Sequence, residues 1–205
     1  AKFVFMDKKT ISLKIDCVIF IHAKQENTSY QEEINYLESC HIRNQFITNL
    51  IGSLRGNTLV LLTNIAKHGQ PLWEMFNPMV SRMKGTLYYV QGENDEEDRE
   101  AVKEIVEKPK KKINNVILAS YASFSKGINI KNINNVVFAS PYDSEMEDLL
   151  SFCRSLINIS ENEIRLFDIA DDLQCDNYTL KHLKKRINIY KEENFTQNLK
   201  KYNFN

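Results

Sequence analysis

Asn57-Thr58-Leu59-Val60-Leu61-Leu62-Thr63 is a strand-length run that is apolar through its middle. A strand with one wet face alternates polar and apolar residues. This one does not, so both of its faces must be covered, as in a parallel sheet lying under helices. Thr63-Asn64-Ile65-Ala66-Lys67-His68-Gly69 leaves the strand and leads into an expected helix, roughly Gly69 to Met83, built around Leu72, Met75, Phe76 and Met79. Pro71 is compatible with that helix because a first turn has no need of its N–H.

Reading outward from this unit, the same alternation recurs. Ile11, Leu13, Ile15, Cys17, Ile19 and Ile21 alternate for part of their length with Ser12, Lys14 and Asp16, a strand signal. Ser29 and Glu32 have capping-box spacing and open a helix expected to reach about Leu54, with Ile34, Leu37, Phe46, Leu50 and Leu54 on its apolar stripe. Downstream, strands are expected at Thr86 to Val90, Asn115 to Ser120, Asn135 to Ala139 and Glu163 to Ala170. Helices are expected at Asp95 to Glu107, Glu145 to Asn158 and Tyr178 to Tyr202, the last with Leu180, Leu183, Ile187, Tyr190 and Phe195 near one face. Strands alternating with helices imply βαβ units. The expected fold is therefore α/β: a parallel sheet with helices on both faces, three layers in all, plus a C-terminal helical extension. The expected organisation is an N-terminal strand region over 1–27, a main domain over 28–172 and the extension over 173–205.

Composition narrows the function classes. With 27 basic and 27 acidic residues the formal net charge is zero, which excludes a uniformly basic nucleic-acid coat but not a local basic face. The six glycines, at 52, 56, 69, 85, 92 and 127, form no GxGxxG turn, and GxxxxGK[ST] is absent, so the chain has no phosphate-cradling loop of its own. Cys17, Cys40, Cys153 and Cys175 are scattered, which reads as free thiols in a reducing compartment and not as a metal site. No apolar run approaches membrane-spanning length, and Ala1 to Met6 offers no signal-peptide core. A cytoplasmic protein without membrane partners is expected, in the host cytoplasm if the source is viral. A start at Ala1 suggests a processed or excised piece.

In an open α/β sheet, ligands bind beyond the carboxyl ends of the strands. The segments after the strands therefore matter most: Thr63 to Gly69, Gln91 to Asp95, Ser120 to Asn129, Ser140 to Ser144 and Ala170 to Asp172. Two of these, together with the Arg154 helix and the basic tail, carry candidate chemistry. Ala119 to Asn129 offers Ser120, Ser123, Ser125, Lys126 and Gly127, small donors that can approach phosphate oxygens closely. An ordinary polar loop is the plain alternative. Thr63 to Gly69 brings Lys67 and His68 to a helix entrance, and no nucleophile or carboxylate is spaced to make His68 part of a triad. Arg154 lies in an apolar helix, Leu149 to Ile157, where it either snorkels or grips a phosphate. The tail from Thr179 onward, with Lys181, Lys184, Lys185, Arg186, Lys191, Lys200 and Lys201, presents a basic face that is either solvated or turned to a polyanion.

In order and spacing these segments resemble the second RecA-like domain of a superfamily 2 helicase, within it the phage helicases of recombination and replication rescue. The series runs through Thr63 to Gly69, Tyr89 to Gly92, Asp98-Arg99, Val116 to Ser120, Phe124 to Asn129, Val136 to Phe138 and the Arg154 helix, flanked by Tyr30 to Ile34 and Asn177 to His182. The resemblance covers roughly residues 28–202. It implies that Lys67, His68 and Ser120 contact a nucleic-acid backbone. It further implies that Ser125, Gly127 and Asn129 couple the nucleotide site to that groove, and that Arg154 reaches toward the γ-phosphate. Leu150, Cys153 and Ile157 depart from the QxxGRxxR pattern around Arg154. An arginine finger contributes orders of magnitude to phosphoryl transfer and isoleucine cannot replace it. The implied partners are DNA, single-stranded or branched, with RNA:DNA hybrids left open, and a first RecA-like domain in cis or in trans. ATP and Mg2+ belong to the complete enzyme, with no metal held by this chain. Two other readings stand beside this one: a non-catalytic nucleic-acid- or protein-binding module that kept the fold, and an unrelated flavodoxin-like domain.

Overall fold

The computed structural model describes residues 13–26, 29–83, 85–90, 114–122, 132–140 and 163–204, with 100 and 151 as isolated positions. Seven strands form one sheet: β1 (Leu13–Ile21), β2 (Asn57–Leu62), β3 (Leu87–Val90), β4 (Val116–Ser120), β5 (Ile133–Phe138), β6 (Ile164–Asp172) and β7 (Thr196–Asn203). Their spatial order is β3-β4-β2-β5-β6-β1-β7, and every ladder is parallel. The described helices are α1 (Tyr30–Ser39), α2 (His41–Ser53), α3 (Gln70–Met83) and α4 (Tyr178–Glu192), with a π turn over Ile65–Gly69. No helix among the described residues is long and apolar enough to cross a membrane.

The apolar runs of β1, β2, β4, β5 and β6 are continuous because these strands are packed on both sides. One face buries Val18, Phe20, Val60, Leu62, Val137 and Phe167 under Ile47 and Ile51 of α2 and Leu72 and Phe76 of α3. The other buries Ile15, Cys17, Leu59, Ile117, Val136 and Leu166 under Leu183, Ile189 and Tyr190 of α4. The direction of travel explains the division. The chain moves one way across the sheet from β1 to β2 to β3, and the opposite way from β6 to β7. Right-handed crossovers then require the connecting helices to lie on opposite faces. Between these movements, β2 sends the chain toward β3 while β4 sends it back past β2 to β5. The carboxyl ends of β2, β4 and β5 therefore border a switch point, where α/β sheets place ligands.

The parallel αβα architecture agrees with the sequence reading, and three local expectations need correction. The helix expected from Ser29 to Leu54 is two helices. Its capping box is present, with Glu32 N donating to Ser29 Oγ and Ser29 N and Oγ donating to Glu32 Oε2. Cys40, extended at φ −68° and ψ 103°, ends α1 and begins α2. After that break the inward stripe of α2 is Arg43, Asn44, Ile47, Thr48 and Ile51, while Phe46 and Leu50 are only half-buried. The last helix stops at Glu192, where Asn194 turns left-handed at φ 56°. Thr196–Asn203 instead extends as an edge strand on β1. The one sheet thus draws strands from all three segments expected as separate regions. Finally, Arg186 does not belong to a solvated basic face. It is buried, and its Nε and Nη2 donate to the two oxygens of buried Asp168 on β6, each at 2.8 Å, with Tyr190 Oη donating to the same carboxylate. Apart from the isolated positions 100 and 151, the helices expected over 95–107 and 145–158 lie outside the described residues.

A second buried carboxylate ties the helical layer to the sheet. Asp171, near the end of β6, accepts from Arg43 Nε at 2.9 and 3.0 Å and from His22 Nε2 at 2.8 Å. Its backbone carbonyl accepts from Asn177 Nδ2 and Thr179 Oγ1. Glu33 of α1 completes the junction by accepting from the backbone N–H groups of Tyr178 and Thr179, both at 2.8 Å, so one helix caps the start of another. Burial alone would lower the pKa of His22. Hydrogen bonds to Asp171 and Cys40, with the charges behind them, outweigh it and raise the imidazole to about 9. A histidine whose folded pKa lies above its unfolded value stabilises fully below the unfolded value of 6.5 and loses that contribution as pH rises through 9. His22→Gln should therefore lower the melting temperature most near pH 6, with the gap closing by about pH 9 to 10; thermal melts across that range check it.

Candidate functional site

The switch point carries the site. β2 ends at Leu62, which pairs in register with Ser120, the last residue of β4. Neighbouring strands lie about 5 Å apart, so the residues just past Leu62 and just past Ser120 share one ledge. Thr63 is exposed and Ser120 half-buried there. Next, Asn64 caps the turn by accepting from Lys67 N–H at 2.9 Å. The chain then widens into the π turn Ile65–Gly69 before α3 begins. Such bulges re-aim side chains. Here Lys67 points to solvent while His68 points inward.

Close packing fixes this turn from behind. A Cβ on Gly69 would sit 3.1 Å from the Ile65 side chain and from the ring and hydroxyl of Tyr89, so any larger residue would crowd those two side chains. Tyr89 Oη donates to the Ile65 carbonyl, and its ring meets Trp73 edge-on.

His68 is fully buried and both ring nitrogens are engaged: Nδ1 lies 2.7 Å from Ser140 Oγ and Nε2 lies 2.9 Å from Asn44 Oδ1. Burial, reinforced by the charge of Arg43, pushes its pKa down to about 3 against the pull of Asp171, so the imidazole is neutral. The ring has no access to an incoming ligand. Its contribution to the ledge is the placement of its neighbour Lys67. The charge of Lys67 also reaches Glu38, whose carboxyl is raised by burial above its ordinary pKa against the pull of Lys67 and Arg43.

Ser140, the residue two past the end of β5, joins these parts. Its hydroxyl meets His68 and its carbonyl accepts from Tyr121 Oη at 3.1 Å, directly after Ser120. Tyr121 is itself seated edge-on against Phe138. Of the residues read from sequence, Lys67, His68 and Ser120 are thus brought to one edge of the sheet. Ser125, Gly127, Asn129 and Arg154 lie outside the described residues. Tyr121 and Ser140 fall in post-strand segments where ligands are expected, but their roles, and that of Asn44, were not legible, because a serine, an asparagine and a tyrosine in three distant segments acquire a shared purpose only once the strands are ordered. Among the described residues, no group of three His, Cys, Asp or Glu side chains could hold a metal ion.

An exposed lysine, a threonine and a serine on one ledge, at the carboxyl ends of adjacent parallel strands, suit the oxygens of an extended anion better than acid–base work. The one imidazole nearby is buried and neutral. No protein-family model matches the chain. It is 28% identical over 219 residues to the ATP-dependent DNA helicase uvsW of enterobacteria phage T4, covering 96% of this chain and 42% of that protein. The crystal structure of T4 UvsW superposes with a TM-score of 0.77 at 27% identity, over 93% of this chain and 42% of the other. The chain therefore spans less than half of the relative it matches. The C-terminal domain of the DEAD-box protein Dbp5 shares the fold, with a TM-score of 0.53 at 10% identity over 95% of this chain and 91% of that domain. So does the ATP-dependent restriction-modification enzyme LlaBIII, at 0.57 and 10% identity over 95% of this chain and 16% of that one. This chain is a homologue of the T4 UvsW helicase with the RecA-like fold of superfamily 2 helicase C-terminal domains.

Proposed function

We propose that this chain is the C-terminal motor domain of an ATP-dependent DNA helicase acting in recombination, branch migration or replication-fork rescue. The observation that carries this reading is the ledge itself. Lys67 and Ser120 stand at adjacent strand ends on a fold whose 28%-identical relative is an ATP-dependent DNA helicase. In this reading Lys67 and Ser120 hold the phosphate backbone of single-stranded or branched DNA, or of an RNA:DNA hybrid, and His68 sets the position of Lys67. Phosphate contacts of this kind fix register and orientation without reading sequence, as suits a protein that moves along a strand.

The chain has no GxxxxGK[ST] loop, so ATP and Mg2+ would be bound chiefly by a first RecA-like domain supplied in cis or in trans. Mg2+ neutralises charge on the transferring phosphoryl group. Ser125, Gly127 and Asn129 would link that site to the nucleic-acid ledge, and Arg154 would sense the γ-phosphate across the cleft. The protein would work in the cytoplasm, the host's if its source is a phage. A second reading has one specific observation behind it. Leu150, Cys153 and Ile157 replace the glutamine, glycine and second arginine of the family pattern around Arg154, which favours a module that grips nucleic acid without hydrolysing ATP.

Two measurements test these readings. Fluorescence anisotropy with labelled single-stranded and branched DNA should show binding that weakens steeply with salt. Lys67→Ala should weaken binding alike for all sequences and reduce the slope of log K against log salt by about 1. A wild-type chain that does not bind at low salt defeats both nucleic-acid readings. For the motor reading, Arg154→Ala in the full-length protein should lower ATPase turnover at least tenfold, well short of the roughly thousandfold or more that an arginine finger contributes, without lowering DNA affinity. Unchanged turnover would remove Arg154 from that role and leave the binding-module reading the stronger one.

A further inference from the structure

We infer that Ser140 is a positioning residue that holds the two backbone-contacting strand ends together, Lys67 through the His68 ring and Ser120 through the Tyr121 hydroxyl, so that the two grips are kept or lost as a unit. The inference rests on the nucleic-acid reading of Lys67 and Ser120 and adds to it what keeps them in register. Three strands contribute. His68 follows β2, Tyr121 follows β4, and Ser140 follows β5 and is anchored to β2 by its own N–H, which donates to the Leu61 carbonyl at 3.4 Å.

The direction of each hydrogen bond in this chain is fixed by its far end. Asn44 Nδ2 donates to the Glu38 carbonyl at 2.8 Å, which leaves Asn44 Oδ1 as the acceptor facing His68. His68 Nε2 must therefore carry the proton and donate it, so Nδ1 of the neutral ring is an acceptor. The hydroxyl of Ser140 is left to donate to Nδ1, and its carbonyl to accept from Tyr121. Every polar group in the chain has one assignment that satisfies its neighbours, and all of them are buried, so a break anywhere leaves an unpaired group in the interior. The two ends of the imidazole thus do different jobs. Nε2 secures the ring to α2, whereas Nδ1 links the Lys67 turn to Ser140.

That asymmetry supplies the test, because two amides each copy one end of the ring. The side-chain oxygen of His68→Asn falls where Nδ1 stands and can accept from Ser140. The amide of His68→Gln reaches toward Asn44 and leaves Ser140 without an acceptor. Both variants lose one bond and some volume, so both should melt at a lower temperature. DNA affinity separates them. His68→Gln and Ser140→Ala should each lose at least as much affinity as Lys67→Ala, and His68→Asn should recover most of it. Adding Lys67→Ala to His68→Gln should cost little more, because the lysine grip is already misplaced. The measurements are anisotropy titrations of the full chain with labelled single-stranded DNA below each variant's melting temperature. Equal losses in His68→Asn and His68→Gln, or additive losses in the double variant, would reduce the chain to a stability element and overturn the inference while the nucleic-acid reading stands. A wild-type chain that fails to bind DNA would overturn both.

Discussion

Asp171 carries its charge in the interior of this protein, and the placement of the functional edge depends on how that charge is held. Its carboxylate is fully buried and takes Arg43 on one side and His22 on the other, while its carbonyl takes Asn177 and Thr179. Burial works against the ionised form, and the charges and hydrogen bonds of Arg43 and His22 overcome it and keep the carboxyl below its ordinary pKa. Arg43 is consequently fixed in the first turn of α2. The next residue, Asn44, is set against His68, and His68 fixes the π turn that turns Lys67 outward. An interaction at the end of β6 thereby determines the direction of a side chain beyond the end of β2. Buried ion pairs add little net stability compared with apolar packing, but the loss of one partner is costly. Asp171 accordingly serves as a constraint on geometry more than as a source of stability.

The layout of the sheet explains why so much polar chemistry collects at one edge. The central strands are packed on both faces, against α2 and α3 on one side and α4 on the other, so a polar group within a strand has to be met by a buried partner, as Asp168 is by Arg186 and Tyr190. The polar groups left to meet a ligand lie at the strand ends. Parallel strands all end on the same side, which brings Leu62, Ser120, Ser140, Asp171 and His22 toward one rim although they are spread over 150 positions of sequence.

How much was legible in the sequence depends on the range over which each signal acts. The run Leu59 to Leu62 showed a strand covered on both faces because apolar continuity is a local property. Ser29 and Glu32 announced a helix start because a capping box closes within four residues. The exposed edge strand Thr196–Asn203 was not legible. Its side chains are mostly in water, so it has no apolar alternation, and pairing with β1 decides its conformation. Arg43, Arg186 and His68 were misjudged or passed over for a related reason. A polar residue on a helix or at a turn reads as solvated until its partner, Asp171, Asp168 or Ser140, arrives from more than ten residues away. The motif order behind the helicase resemblance survived these errors, since it required only that the segments occur in sequence.

The most direct test of the account is a hydrogen-exchange footprint of the chain with and without saturating single-stranded DNA. If the rim at the carboxyl ends of β2 and β4 is the nucleic-acid surface, amides of residues 63–69 and 120–122 gain protection on binding. Those at the opposite ends of the same strands, at Gly56, Asn57 and Asn115, stay unchanged. Protection confined to the opposite ends, or to the exposed edge strand β7, would contradict it.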